Sequence, residues 1–584
     1  MNSNYEKNPK ILISADKNEC LQGWETLGNA INDKLSKSGG KLVVIETYQG
    51  VDLVQAEAAI KRVLKPHKIY NSHRAFKSVD KIKKLVAPYV TDDEVFGYMS
   101  DLTLENFFEP LSCIKLNEEV KAGTGYLQVI IGPGASLCAP KADLLIYMDM
   151  TRWEIQLRMR KNIVGNLGVV NENEDFTLRY KQSFFVDWRV LDKHKLELFK
   201  HIDFFIDTNN TSNPKMLSGE SLNQSLIETT TRPFRLVPFF DPGPWGGQWL
   251  KEVVDLDRDA INYAWGFDCV PEENSLLFDF GGVSFESPAI NLVLTQPKPL
   301  LGERVFKQFG AEFPIRFDFL DTVEGGNLSL QVHPTKEYIK EKFGMPYTQD
   351  ESYYIMDVKD KAEVYLGIKD ETQPEKMICK LKDAQEKGQN FDADSYVKKW
   401  PVKKHDHFLI PSGTVHCSGK NSVVLEISAT PYIFTFKLWD WGRLDLDGKQ
   451  RPINIEHGEK VIDWTKREKW IKENLINQIE EVARGDGWRE ERTGLHPSGF
   501  IETRRHWFTK KVLHHTGGSV NVINLVEGRE VMVESPEEKF EPFVIHYAET
   551  FIIPAAVGNY TIRPNGESIE KQCVTLKAYV RDNF

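Results

Sequence analysis

The segment Leu328-Ser329-Leu330-Gln331-Val332-His333-Pro334 constrains this chain most. Leu328, Leu330 and Val332 alternate with Ser329, Gln331 and His333, the period-2 pattern of a strand with one apolar and one polar face. Gln331 and His333 therefore point the same way. Two neutral ligand-type side chains on one strand face suit a divalent ion that needs convergent nitrogen and oxygen donors. Glu351 opens a second strand-like run, Glu351-Ser352-Tyr353-Tyr354-Ile355-Met356, and offers a third donor. His416 offers a fourth, just after the turn Pro411-Ser412-Gly413 that follows Phe408-Leu409-Ile410. A lone histidine on a strand is usually only hydrogen-bonded; the set of four is what points to metal. The expected ligands of one divalent ion, zinc, are Gln331, His333, Glu351 and His416.

The order of these pieces, Gln-Val-His-Pro, a Glu-aromatic strand and Pro-Ser-Gly-Thr-Val-His, resembles the metal-binding motifs of type I mannose-6-phosphate isomerases, which are cupin β-barrels. Gly243-Pro244-Trp245-Gly246-Gly247, Phe313-Pro314 and Phe319-Leu320-Asp321 are similar to that family's segments upstream of its metal site. Val423-Val424-Leu425-Glu426-Ile427, Asp440-Trp441-Gly442-Arg443-Leu444-Asp445 and Phe551-Ile552-Ile553-Pro554-Ala555 are similar to segments downstream. The resemblance spans roughly residues 235 to 584. It implies jelly-roll barrels and a metal-dependent isomerase acting on mannose 6-phosphate or a related sugar phosphate.

The resemblance also implies roles for single residues. Ser329, on the face of Gln331, corresponds to a serine that donates to the substrate phosphate, and Lys336 falls at a polar position of the segment after His333-Pro334. Three positions depart from the family pattern. Gln349 stands where a lysine normally precedes the glutamate ligand by two residues, Asp318 stands at another lysine position, and Lys437 aligns with the catalytic arginine, with Arg443 six residues on. Lys437 and Arg443 are the expected sources of the missing positive charge. An enediolate next to a phosphate dianion needs more than one divalent ion beside it.

At 584 residues the chain exceeds what one core supports, so several domains are expected. With 41% hydrophobic and 27% charged residues it has the composition of a globular protein. A net charge of -11 argues against general binding to nucleic acid or anionic membrane. The N-terminus lacks a signal-peptide core and no apolar run is long enough to span a bilayer. Seven scattered cysteines suggest neither a disulfide framework nor a CxxC zinc site, and fit the cytoplasm. The oligomeric state is left open.

Residues 1–215 alternate strands and helices. Lys41–Glu46, Leu127–Ile131 and Leu144–Met148 read as buried strands, and Val51–Leu64 and Ile155–Arg160 as helices, so a parallel α/β sheet is expected. Asp92–Gly97 and Leu104–Phe108 resemble the uridine-kinase and phosphoribulokinase branch of P-loop proteins. Where GxxxxGK[ST] should follow the first strand, however, the chain has Thr47-Tyr48-Gln49-Gly50-Val51-Asp52. A kinase-like domain without a P-loop, non-catalytic or regulatory, is the expectation. Gly132-Pro133-Gly134 reads as a tight turn, and Arg152, Arg158 and Arg160 as a solvated helix face rather than a nucleotide pocket.

Asn, Ser, Thr and Gly then dominate to about Thr231, which predicts a linker over 216–234. A metal-binding cupin domain is expected over 235–455, a helical insert over 456–500 and a second cupin domain over 501–584. The insert rests on Trp470, Ile471, Leu475, Ile479 and Val482 at near-helical spacing before Gly485. His514 and His515 have no donors nearby and read as surface residues. Two functions follow: an isomerase of mannose 6-phosphate and fructose 6-phosphate, or a non-catalytic sugar-phosphate-binding regulatory protein.

Overall fold

The computed structural model describes residues 3–14, 19–123, 125–139, 141–429, 434–494 and 496–582. The chain divides into two compact units, one of Lys10–Glu228 with Ser275–Thr295, the other of Met1–Pro9, Thr229–Asn274 and Gln296–Phe584. Among the described residues no helix is long and apolar enough to cross a membrane.

In the first unit the apolar runs Leu42–Thr47, Gln128–Gly132 and Leu144–Asp149 are buried almost throughout, as strands covered by helices on both faces must be. They are central in a seven-stranded sheet, where Leu42–Thr47 pairs in parallel with both of the others. Lys68–Asn71 and Phe204–Asp207 extend the parallel set, and Lys215–Ser218 closes it antiparallel. Leu27 and Ile31 of helix Trp24–Ser38 and Ala56 and Ile60 of helix Leu53–Leu64 pack on Val43, Ile45, Val129 and Ile146.

This unit does not end at 215. The expected linker over 216–234 is largely the end of the strand Lys215–Ser218 and the helix Gly219–Thr229. Its serines cap rather than loosen the chain, since Ser218 Oγ accepts from Ser221 N at 3.0 Å at the helix start. The later strands Ser275–Phe280 and Val283–Pro288 also return to this unit, forming a three-stranded sheet with Lys10–Leu12.

Helix Trp188–Leu198 docks on the carboxyl ends of the parallel strands through buried charge. His194 Nε2 lies 3.2 Å from Glu46, Lys195 Nζ 3.0 Å from Asp149, and Asp192 accepts from Arg152, whose guanidinium also covers the Trp188 ring. Asn291 Nδ2 adds a 3.0 Å bond to Asp149.

The second unit is β-rich. A six-stranded antiparallel sheet runs in the order His407–Ile410, Glu351–Val358, Ser422–Ser428, Arg316–Asp321, Trp265–Cys269, Phe239–Asp241. A five-stranded one runs Val397–Pro401, Glu363–Ile368, His416–Ser418, Leu330–Val332, Phe436–Trp439. Towards the C-terminus, a six-stranded and a four-stranded sheet enclose a core of Ile523, Leu525, Val531, Phe551 and Ile562.

The expected helical insert over 456–500 is not helical throughout. Ile455–Val461 and Glu468–Asn474 are short helices, but Glu480–Gly485 and Trp488–Arg492 form a hairpin that joins the C-terminal six-stranded sheet. The two-residue connection Asp486-Gly487, with Gly487 at φ +78°, is a hairpin signal that overrides the helical spacing of Ile479 and Val482. His514 is not a surface residue: it is buried and stacks on Tyr560 at 5.1 Å, while His515 faces solvent.

Lys195→Met leaves the Asp149 carboxylate buried without its ion partner. It is expected to cost about 3–5 kcal/mol of unfolding free energy in denaturant titrations.

Candidate metal centre

Register places the expected ligands. In the five-stranded sheet Gln331 pairs with His416 on one side and with Lys437 on the other, so these three side chains form one row on one face. In the six-stranded sheet Glu351 pairs with Ser428, and Ser428 with Arg316. Two residues along, Tyr353 pairs with Glu426, and Glu426 with Asp318, on the same face. His333, immediately after Leu330–Val332, follows the alternation of Gln331.

The two faces meet at Glu351. His333 Nε2 lies 3.0 Å from Glu351 Oε2 and His416 Nε2 lies 2.9 Å from Oε1, and all three side chains have no solvent exposure. Donor atoms of the three lie within 4.8 Å of one another. His333 Nδ1 is 3.0 Å from the Phe434 carbonyl and His416 Nδ1 is 2.8 Å from the Thr414 carbonyl. A carbonyl only accepts, so both Nδ1 atoms carry the proton and both Nε2 lone pairs face the carboxylate.

That arrangement is repulsive unless a cation lies among the three groups. His333 Nε2 and Glu351 Oε1 are buried without a hydrogen-bond partner. Burial opposes charge on both rings; Glu351 outweighs it at His333, whose pKa is raised, but not at His416, whose pKa is lowered. Protons alone therefore leave the His416 lone pair with only the neutral Gln331 amide nitrogen at 3.3 Å, whereas one divalent ion answers all three groups. The donor set, two imidazoles and a carboxylate, is one that zinc accepts.

Gln331 stands beside this set, its amide nitrogen 3.3 Å from His416 Nε2 and its Oε1 accepting from Ser329 Oγ at 3.3 Å. Turning the amide over, which changes its shape little, presents Oε1 to the centre. Ser329 is thereby tied to Gln331 and is buried. Gln349, at a position where a lysine is expected, donates to Glu351 Oε2 at 2.9 Å and so orients that carboxylate. Lys466, which sequence reasoning missed, donates to the Ser412 carbonyl at 2.5 Å and fixes the turn that delivers His416.

The other expected residues separate. Lys437 lies in the row of Gln331 and His416, and burial, then Arg451, push its ammonium down to about 7. Arg443 is committed elsewhere: it donates to Asp440 Oδ1 at 2.6 Å and to the Asn327 carbonyl at 2.6 Å, bracing the loop before Leu328. Lys336 is exposed at the first position of helix Lys336–Phe343 and has no place among the ligands. Asp318 is buried 3.4 Å from Arg316 Nε and pushed up to about 6 by burial, an effect Arg316 offsets and Glu351 reinforces. Glu426, unnoticed as a functional residue in the sequence, is raised by burial, then by Asp318 and Glu351.

The α/β unit shows why its phosphate-binding positions differ. Asp52 caps helix Leu53–Leu64, accepting from Gln55 N at 3.0 Å, where a P-loop would offer backbone N–H groups to phosphate. The turn Gly132-Pro133-Gly134 does bind an anion, the protein's own: Glu46 accepts from Gly134 N at 2.8 Å and Ser136 N at 2.7 Å. Arg152 pairs with Asp192, Arg158 with Glu154, and Arg160 covers the Trp153 and Phe176 rings. A cavity of about 640 Å³ lies beside Tyr48, Gln49 and Asp52.

His333→Ala or His416→Ala is expected to lower bound zinc from about one ion per chain to a small fraction of that, read by atomic emission on the purified folded protein. Retention of a full equivalent in both variants would place the metal elsewhere. Magnesium ATP is expected to give no binding heat and no turnover; ATP hydrolysis that survives His333→Ala would contradict the reading of the α/β unit.

Comparison with known proteins extends this. A family described as Domain of unknown function (DUF8485) matches residues 23–231. The solved mannose 6-phosphate isomerase of Bacillus subtilis aligns over 60% of this chain and 99% of its own at 18% identity, with a TM-score of 0.47. Mannose-6-phosphate isomerase ManA of Bacillus subtilis (strain 168) is 28% identical over 235 residues, 40% of this chain and 69% of its own length. "Probable mannose-6-phosphate isomerase GmuF" of the same organism is 30% identical over 243 residues, again 40% of this chain and 69% of its own length. On that last match, the chain belongs to the mannose-6-phosphate isomerase family.

Proposed function

We propose that the β-rich unit interconverts mannose 6-phosphate and fructose 6-phosphate, or a closely related aldose and ketose phosphate. In this reading the two site sheets form a cupin barrel around one zinc ion. The observation that carries it is the fully buried set His333, Glu351 and His416, with both Nε2 lone pairs turned onto one carboxylate. Gln331 would complete four donors. Bound there, the ion supplies Lewis-acid stabilisation of the negative charge that develops as a proton moves between C1 and C2.

The chain's own residues do the rest. Gln349 holds Glu351 in place, and the Phe434 and Thr414 carbonyls hold the two imidazoles in the tautomer that binds metal. Lys437 is the cation in line with Gln331 and His416. Its place in that row supports a role in receiving the substrate's negative charge, and an ammonium pushed down to about 7 also suits proton transfer near neutrality. Arg443 acts at one remove, through Asp440 and the Asn327 carbonyl.

A specific observation favours the second reading, a sugar-phosphate-binding regulatory protein without turnover. Gln349 and Asp318 occupy expected lysine positions, and Asp318 adds a carboxyl group where a phosphate pocket needs cations. Each lost charge-assisted hydrogen bond costs about 1.5–3 kcal/mol of binding. A coupled assay for fructose 6-phosphate, run beside calorimetry with mannose 6-phosphate, separates the two: turnover supports the isomerase, and binding heat without turnover the regulator.

If Lys437 serves the reaction, Lys437→Met lowers kcat/KM by about 10²-fold or more with metal content unchanged. An unchanged kcat/KM would remove Lys437 from the mechanism.

A further inference from the structure

All seven cysteines are free thiols, and two of them meet. Cys113 lies on helix Pro110–Ala122 and Cys138 ends the short helix Ala135–Cys138, with their Sγ atoms 2.9 Å apart. A disulfide holds its sulfurs at about 2.05 Å, so an approach of about 1 Å would join them. The helices that carry them are already tied together, because Asn117, one turn after Cys113, donates Nδ2 to the Cys138 carbonyl at 2.6 Å. The two thiols are unequal. Cys113 is half-buried and donates to the Leu137 carbonyl at 3.4 Å, whereas Cys138 has no exposure. Burial, and then the hydrogen bond with Cys113, push the Cys138 thiol well up.

We propose that Cys113 and Cys138 are a site of reversible two-electron oxidation by a peroxide, with Cys113 the thiol oxidised first and Cys138 the resolving thiol. The Cys113 sulfur attacks one peroxide oxygen and the O–O bond breaks. This leaves a sulfenic acid on Cys113 and one water, which keeps the thiol proton. The Cys138 sulfur then attacks the Cys113 sulfur and the S–O bond breaks. The disulfide forms and the hydroxyl leaves as a second water with the Cys138 proton. The two sulfurs give up two electrons and the peroxide is reduced to two waters. A small thiol reverses the bond by exchange.

The test uses the full chain, treated with hydrogen peroxide, alkylated under denaturing conditions without reductant, and mapped by peptide mass. The expected result is two alkylated thiols fewer than the seven of the untreated chain, together with a Cys113–Cys138 linked peptide that dithiothreitol removes. Cys379→Ser, which deletes the exposed lone thiol, should leave the cross-link intact, and Cys113→Ser should abolish it. Should Cys113→Ser fail to fold, the map of the unaltered chain still decides. The proposal is overturned if Cys113 and Cys138 both remain alkylated at a peroxide concentration that oxidises Cys379. It is equally overturned if Cys113 ends as a sulfinic acid with no linked peptide.

Discussion

A carboxylate and two imidazole nitrogens enclosed together without solvent need a positive charge between them, because the one amide that reaches each of Glu351 and His416 carries no net charge to offset their mutual repulsion. Much of the surrounding architecture is explained by that need. Two backbone carbonyls take the Nδ1 protons of His333 and His416, and Gln349 takes one lone pair of Glu351. Lys466 fixes the turn before His416 by donating to carbonyls that no strand satisfies. The five-stranded sheet brings neutral donors and the six-stranded sheet brings the acid, so a cation bound among them would hold the two faces together.

The acid side carries more carboxyl groups than Glu351 alone. Asp318 and Glu426 are cross-strand neighbours behind Glu351, and Arg316 is the cation set against them. The same preference for the protein's own carboxylates appears in the α/β unit. There Glu46 and Asp52 occupy the backbone N–H groups that a bound phosphate would otherwise use. In the α/β unit an anion-binding opportunity is thus filled from within, by side chains that the chain brings to the spot.

Local pattern made the centre legible. Alternation through Leu328–His333 was enough to put Gln331 and His333 on one face, and the apolar runs of the first unit were enough to place its central strands. What escaped depends on pairing between distant segments. Glu426 lies in a wholly buried strand whose apolar run hides a polar position, and only its register with Asp318 reveals it. Lys466 lies in a loop with no pattern at all. The hairpin at Asp486-Gly487 was legible, but competing helical spacing in Ile479 and Val482 masked it. His514 alternates buried and exposed with its neighbours in a short strand, which a search for metal donors passes over.

The α/β unit is discontinuous, since Ser275–Thr295 returns to it after Thr229–Asn274 has joined the other unit. On a ribosome, then, it cannot be completed when residue 228 emerges. The strands Ser275–Phe280 and Val283–Pro288, and the Asn291 amide that bonds Asp149, are made only after part of the β-rich unit has been synthesised. Synthesis of the two units is interleaved, and a genetic cut after residue 228 would separate the parallel sheet from pieces of its own fold.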